Sequence, residues 1–424
     1  MKRTLDDWLD HLSQTHPADI ELGLERVAAV WRALGAPAPT LHVVTVAGTN
    51  GKGSSVAFLE AILGAAGYRV GAYTSPHLLH YNERVRIEGM PVPDAILCEA
   101  FERIEQARGD TPLTYFEFGT LAALWCFACA GLDAAILEVG LGGRLDAVNI
   151  VDADVGLITG IALDHTDWLG DDLDAIGFEK AGIARSGRPL VYSAREMPDS
   201  VARVADERGA RLLHAGRDYD WRQAGDGWEW QGEAGIRPGL PLPALRGAAQ
   251  MQNAAGALAV LSQLPDLPVD AAAVRAGLLE ARLPGRFDVR HRRCPWVLDV
   301  AHNPQAAEVL AAQLGERFVS GERHAVVGML ADKAIEEVLA VLAPRVDHWH
   351  LLGLGDQPRG APAQTLLDAL PATARAGAHC CTDVDDCLAA LDSRLGADDE
   401  VLVFGSFVTV GRVMAWLDAH PSGL

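Results

Sequence analysis

The chain has no long apolar run. Its opening stretch, MKRTLDDWLDHL, lacks the apolar segment of a secretory leader, and nowhere do about 18 apolar residues follow one another as a membrane-crossing helix requires. No membrane association is expected, and a cytoplasmic protein is. Cations are also in short supply, with 36 Lys and Arg against 57 Asp and Glu and a formal net charge of −21. Nucleic-acid backbones are held by clustered cations, so a nucleic-acid partner is not expected either. The 7 cysteines form an odd set without the spacing of a disulfide framework, which fits a reducing compartment. Cys126 and Cys129 form a C-x-x-C, but within the apolar helical run LAALWCFACAGL and with no second pair to complete a zinc site. They read as buried packing residues. Adjacent Cys380 and Cys381 point to nothing more specific.

What is present is globular. A hydrophobic share of 49% with 22% charged residues exceeds what a disordered chain carries, and 424 residues suffice for about two or three domains. Strand-like and helical runs alternate along most of the length, which predicts a parallel α/β architecture.

The most informative stretch is LHVVTVAGTNGKGSS. Residues 41–47 read as a buried strand, and 54–66 carry apolar residues at helical spacing. Between them, Gly48, Gly51 and Gly53 let backbone N–H groups turn inward on a phosphate, Lys52 adds a point charge, and a helix N-terminus faces the same spot. The loop departs from G-x-x-x-x-G-K-[ST]: Val46 stands at the first glycine position and Gly53 separates Lys52 from Ser54.

Further strands are expected at 69–73, 134–139, 155–159 and 189–193. Trp221, Trp228 and Trp230 around Gly225 and Gly227 suggest an antiparallel hairpin inserted at a sheet edge between residues 218 and 243. A domain boundary is expected near Arg290. Beyond it, 296–300, 324–327, 349–352 and 401–404 read as four strands of a smaller α/β domain, with helices at 306–314 and 335–342.

In open α/β sheets ligands collect at the carboxyl ends of the strands. TSPH puts Ser75 and His77 there, EVGLGGRLD puts Glu138, Arg144 and Asp146, ALDHTDWLG puts Asp164, His165 and Asp167, and FEKAGI brings Glu179 and Lys180 shortly after. Glu138 and Ser75 suit Mg²⁺, a hard ion that prefers oxygen; His165 is a softer partner. In the second domain WVLDVAHNP sets Asp299 and His302 at a strand end, with Asn303 and Pro304 opening a helix.

Taken together, AGTNGKGSS, TSPHLLHYNERVRI, LTYFEFGTLAALW, EVGLGGRLDAVN, ALDHTDWLG, EKAGI, LPGRF, DVAHNP and GMLADK occur in the order of the Mur-ligase-like folate enzymes, which the chain resembles from near Asp19 to near Phe404. The resemblance implies a P-loop Mur-ligase-like ATPase domain with a parallel-rich sheet (1–290), which binds ATP and the pterin. A smaller Rossmann-like α/β C-terminal domain (291–424) would bind glutamate. It implies an ATP-dependent amide ligase with Mg²⁺, in two ions, and ATP as co-substrate. Dihydropteroate, reduced folates and L-glutamate are the remaining partners, and a monomer is expected. A substrate carboxylate would attack the γ-phosphate, and the glutamate amine would then displace phosphate from the acyl phosphate.

Residue by residue, the resemblance gives Asn50, Gly51, Lys52, Gly53 and Ser54 to the triphosphate. Asn253 and Asp299 go to the nucleotide, and Arg286 to its phosphates. Ser75 and Glu138 would hold one metal ion and His165 the second. Lys180 would be carbamylated and so become a carboxylate-like metal ligand, against the simpler reading of a surface lysine paired with Glu179. His302 would place glutamate. Thr114, Phe116, Asp146 and Ala147 would meet the pterin, with Ile20 and Leu22 of DIELGLER closing over it. The chain departs from the family at His80, where arginine is common, and at Ala334 after Lys333, where an acid is common. A synthase that only extends the glutamate tail, another Mur-type ligase and a non-catalytic nucleotide switch remain open alternatives at this point.

Overall fold

A computed structural model describes residues 3–16, 20–35, 42–233, 235–357 and 359–421. The expected strand start at Leu41 and Asp19, where the family resemblance begins, lie outside them. The chain divides into two compact units. One contains the described residues up to His77 together with Tyr81–Ala244 and Ala249–Arg282; the other contains Leu78–His80, Leu245–Ala248 and the chain from Leu283 onward.

The first unit is built on an eight-stranded sheet in the order β4-β3-β2-β5-β1-β6-β7-β8. Its strands are β1 (His42–Ala47), β2 (Val70–Tyr73), β3 (Val85–Ile87), β4 (Met90–Pro91), β5 (Ala134–Glu138), β6 (Val155–Ile158), β7 (Pro189–Tyr192) and β8 (Arg211–His214). From β2 to β8 all neighbours are parallel, while β3 and β4 add an antiparallel edge. A central parallel strand is covered on both faces, which explains why Val43, Val44, Val46 and Ala47 of β1 are all buried instead of alternating with polar residues. Helix Lys52–Ala65 follows β1 and buries Val56, Phe58, Leu59, Ile62 and Leu63. It meets helix Ala271–Glu280 so closely that a Cβ on Gly277 would come 2.5 Å from Ile62 Cα. Helix Tyr115–Ala130 begins with a capping box in which Thr114 and Glu117 satisfy each other's backbone N–H.

The tryptophan-rich segment differs from the expected edge hairpin. It forms a separate three-stranded antiparallel sheet from β9 (Asp220–Ala224), β10 (Gly227–Gly232) and β11 (Gly235–Pro241). The third strand was hard to read because Gly235, Pro238 and Gly239 give it little strand character. Trp228 and Trp230 are fully buried; their indole N–H groups donate to Pro241 O (2.8 Å) and Ala255 O (3.2 Å). The second bond ties the small sheet to helix Ala248–Leu261.

The second unit is a six-stranded sheet in the order β12-β13-β17-β14-β15-β16, where four strands were expected. These are β12 (Asp288–His291), β13 (Pro295–Leu298), β14 (Arg323–Val327), β15 (His348–Leu352), β16 (Ala378–Cys381) and β17 (Glu400–Phe404). The two additional strands are the edges, whose half-exposed DVRH and AHCC carry too few apolar residues to signal a strand. Helix Ile335–Leu342 matches its expected limits, and Asn303 caps helix Pro304–Gly315 by accepting from Ala306 N–H. At the start of the sheet, Glu400 is 1% exposed and accepts from Arg323 Nε (2.9 Å) and Arg317 Nε (2.7 Å).

Two cysteine expectations are corrected. Cys126 is buried but Cys129 is exposed, because it lies in the last turn of helix Tyr115–Ala130, beside the exposed Ala128. Cys381 and Cys387 are joined in a disulfide that no framework spacing announced. No helix among the described residues is long and apolar enough to cross a membrane.

Candidate active site

The sheet order puts β2, β5, β1 and β6 side by side and parallel, so their carboxyl ends open on one region of the first unit. Ser75 follows β2, Glu138 ends β5, the loop Gly48–Ser54 follows β1, and Asp164 and His165 follow β6.

The loop between Ala47 and Lys52 is held from several sides. Gly51 has φ +90°, which L side chains rarely adopt, and a Cβ there would lie 2.4 Å from Asn253 Oδ1. The carboxamide expected at the nucleotide therefore packs directly against the loop. Gly48 is required for space as well, because a Cβ would fall 1.9 Å from Thr159 Oγ1. Thr159 in turn donates to Asn50 O at 2.7 Å, and Thr49 N–H donates to Gly160 O at 2.8 Å. Thr159 was not singled out in the sequence; a hydroxyl just past a β-strand carries no motif of its own. Ser54 is buried in the first turn of the helix that the loop opens.

Lys52 Nζ donates to Gly48 O (3.0 Å) and Thr49 O (3.1 Å). Lys180 Nζ also donates to Gly48 O at 3.0 Å, and its side chain is 4% exposed. This corrects the surface-lysine reading. Glu179 pairs instead with Arg144, at 2.8 Å, because neighbouring positions on a helix point in different directions. Burial, with Lys52 nearby, pulls Lys180 down to about 7.

Glu138 is buried, and its Oε2 accepts the N–H of Ser75 at 3.2 Å, so the two expected oxygen ligands are brought together. His165 stands in the left-handed region, φ 52°, at the head of a short helix, and its N–H is held by Asp164 Oδ1 at 2.9 Å. Carboxylate and hydroxyl oxygens beside a phosphate loop are the donor set a hard divalent ion prefers, so these residues fit Mg²⁺.

Asp146 is 3% exposed and accepts from Leu141 N–H (2.8 Å) and Val148 N–H (3.0 Å). Burial nevertheless raises it to about 7, with the backbone donors and Lys52 opposing. Ala147 follows it in a buried 3-10 turn. The ring of Phe116 lies against Gly140, where a Cβ would meet it at 2.6 Å, and 6.0 Å from Tyr73. Thr114 is committed to its capping box, its N–H donating to Glu117 and its carbonyl accepting from Phe118 N–H, which leaves its methyl group as the contact for a ligand. Ile20 and Leu22 are half-buried, and their segment is placed by Gly23 N–H on Leu145 O (3.3 Å) and by Arg26 on Glu117 (2.8 Å). Residues 20–26 and RLDA are thus neighbours.

The second unit has its own cluster. Asp299 accepts from Phe287 N–H (2.9 Å) and Ala301 N–H (2.8 Å); burial raises it, and Arg286 pulls the other way. The Arg286 guanidinium lies 5.1 Å from the Phe407 ring centre, and the His302 ring lies 6.4 Å from it, with His302 Nδ1 2.8 Å from Val300 O. Arg286, Asp299 and His302 are therefore gathered at the end of β13.

Comparison with known proteins agrees with this geometry. Residues 285–407 match the Mur ligase, glutamate ligase domain. The dihydrofolate synthase/folylpolyglutamate synthase of Escherichia coli K12 is 47% identical over 422 residues, covering 99% of this chain and 97% of that protein. Two solved structures are similar throughout. E. coli FolC in complex with DHPP and ADP gives a TM-score of 0.93 at 47% identity, covering 98% of both chains. The bifunctional Yersinia pestis enzyme complexed with AMPPNP and Mn ion gives 0.90 at 49%, again covering 98% of both.

Proposed function

Because the chain belongs to the dihydrofolate synthase/folylpolyglutamate synthase family, we propose that it joins L-glutamate to dihydropteroate, forming dihydrofolate, and to reduced folates, extending their glutamate tail. It is an ATP-dependent ligase of the Mur ligase type, and a divalent metal ion accompanies the nucleotide.

The arrangement of Lys52, Lys180 and Glu138 around the glycine loop carries this reading. Phosphoryl transfer from ATP to a carboxylate brings anions together, so catalysis consists of neutralising charge and holding the reactants in line. Asn50, Gly51, Lys52, Gly53 and Ser54 bind the triphosphate, Asn253 and Asp299 the nucleotide, and Arg286 the phosphates. Ser75, Glu138, His165 and a carbamylated Lys180 would hold Mg²⁺, which would supply charge compensation to the phosphates. A lysine lowered to about 7 keeps a substantial neutral fraction. A neutral amine is the form that adds to CO₂, giving a carbamate and releasing a proton; we assign that modification to Lys180. Ile20, Leu22, Thr114, Phe116, Asp146 and Ala147 bind the pterin: the flat ring of Phe116 offers a stacking face and Asp146 a hydrogen-bonding edge. His302 positions glutamate. The first unit, whose last stretch ends at Arg282, serves ATP and pterin, and the second serves glutamate. The protein works as a cytoplasmic monomer without nucleic-acid or membrane partners.

The test is ADP formation by the purified protein with ATP, Mg²⁺ and L-glutamate, comparing dihydropteroate with tetrahydrofolate. Turnover with both is expected. Turnover with tetrahydrofolate alone would leave a tail-extending synthase, and silence with both acceptors despite ATP binding would overturn the reading.

A further inference from the structure

Side chains alternate along a strand, and in the second unit this gathers metal-binding residues on one face of the sheet, away from Asp299 and His302. Val326 of β14 and Leu352 of β15 belong to the apolar layer that also contains Leu388 and Leu391 of helix Val384–Arg394. Two residues earlier on the same strands stand His324 and His350, with His348 two residues before that. On β16, Cys381 stands opposite Leu352, two residues beyond His350 and on the same face, and Cys387 reaches the same layer from the helix. Donor atoms of His350, Cys381 and Cys387 all lie within 4.8 Å of one another. His350 Nε2 is 3.5 Å from His324 Nδ1, and the His324 and His348 rings stack at 4.8 Å.

We propose that His350, Cys381 and Cys387 form a binding site for a zinc-class divalent ion, open when the two cysteines are reduced and closed when they are joined as a disulfide. Two thiolates and one imidazole are a donor set of borderline softness that suits tetrahedral Zn²⁺, with solvent as the fourth ligand. His324 buttresses the His350 ring as an outer-shell partner. Opening the site consumes two equivalents of a low-molecular-weight thiol. They leave as their own disulfide, the protein disulfide is reduced to two thiols, and each thiol gives up its proton on binding the ion. Neither half of this proposal depends on the ligase activity.

Co²⁺ is the probe, added to untagged full-length protein after reduction and removal of the reductant. Wild-type protein should show the thiolate-to-cobalt charge-transfer band with one equivalent bound. Cys381→Ser and Cys387→Ser should lose the band, His350→Asn should weaken Co²⁺ binding by about 10-fold or more, and the oxidised wild type should lack the band without any mutation. Co²⁺ bound without the band, as at Glu138 or through Glu322, His324 and His348, would overturn the proposal. So would a band unchanged in both cysteine variants. The reduced-against-oxidised comparison decides the matter even if a variant fails to fold.

Discussion

Lys52 and Lys180 aim their amines at the same acceptor, the carbonyl of Gly48, each from 3.0 Å. Lys52 belongs to the phosphate loop, whereas Lys180 arrives from a helix far along the chain and is nearly fully enclosed. Two ammonium groups at one carbonyl repel each other, and the enclosed one gives up its proton first.

This has a pH signature. Lys180 titrates at about 7 in the folded protein, against 10.5 for an ordinary lysine. Between those values the unfolded chain holds more protons than the native one, so this group makes native stability rise with pH across the window. Lys180→Met removes the buried charge. The variant should be more stable than wild type below about 7, with the advantage fading toward 10.5, while ligase turnover falls by about 100-fold or more. Urea denaturation at a series of pH values, together with steady-state ADP release, checks both.

Gly51→Ala should weaken nucleotide binding by about 10-fold or more, since it combines an unfavourable φ with the clash at Asn253 Oδ1. Adding Asn253→Gly relieves the clash and leaves the backbone strain and the lost carboxamide. The double variant should therefore bind no worse than the product of the two single effects predicts, and better if the clash dominates. Isothermal titration with ADP distinguishes these contributions.

Asp146→Ala removes an acceptor shared by Leu141 and Val148 N–H groups. A stability loss of about 1 kcal/mol is expected from the missing cap. If Asp146 meets the pterin, KM for dihydropteroate should rise by about 10-fold with KM for ATP little changed. An equal rise in both would place Asp146 at the nucleotide instead.

Glu400→Ala leaves Arg323 with an uncompensated buried charge beside an emptied site. A loss of about 3–5 kcal/mol is expected in the second unit. Native-state hydrogen exchange in β14 and β17 should report the loss, with β1 and β6 of the first unit unaffected.

Contiguous chemistry was readable in the sequence. AGTNGKGSS identifies its own loop because strand, glycines, lysine and helix follow one another without interruption, and DVAHNP sets out a strand end and a cap in a single phrase. The burial of Lys180 was not readable, since it depends on the fold bringing the end of its helix against the glycine loop after β1, 132 positions earlier in the chain. Thr159 was missed for the same reason: its importance lies in filling the space over Gly48, a relation between positions about a hundred residues apart. The edge strands β12 and β16 were missed because half-exposed strands need little apolar patterning, and the pairing of Cys381 with Cys387 because a strand end and a helix turn bring them together. Position-by-position resemblance supplied the pterin and glutamate assignments, which no spacing argument reaches.

Trp230 gives the first unit an intrinsic optical probe. Its indole is enclosed and anchored to Ala255, two residues from the Asn253 that leans on the glycine loop. Any tightening of that helix when nucleotide arrives is transmitted to a fluorophore in a dry setting, where emission is most sensitive to small changes in polarity. Because the chain has 10 tryptophans, the part of its emission that reports loop occupancy is the difference between the wild type and Trp230→Phe, read without a label and separately from turnover.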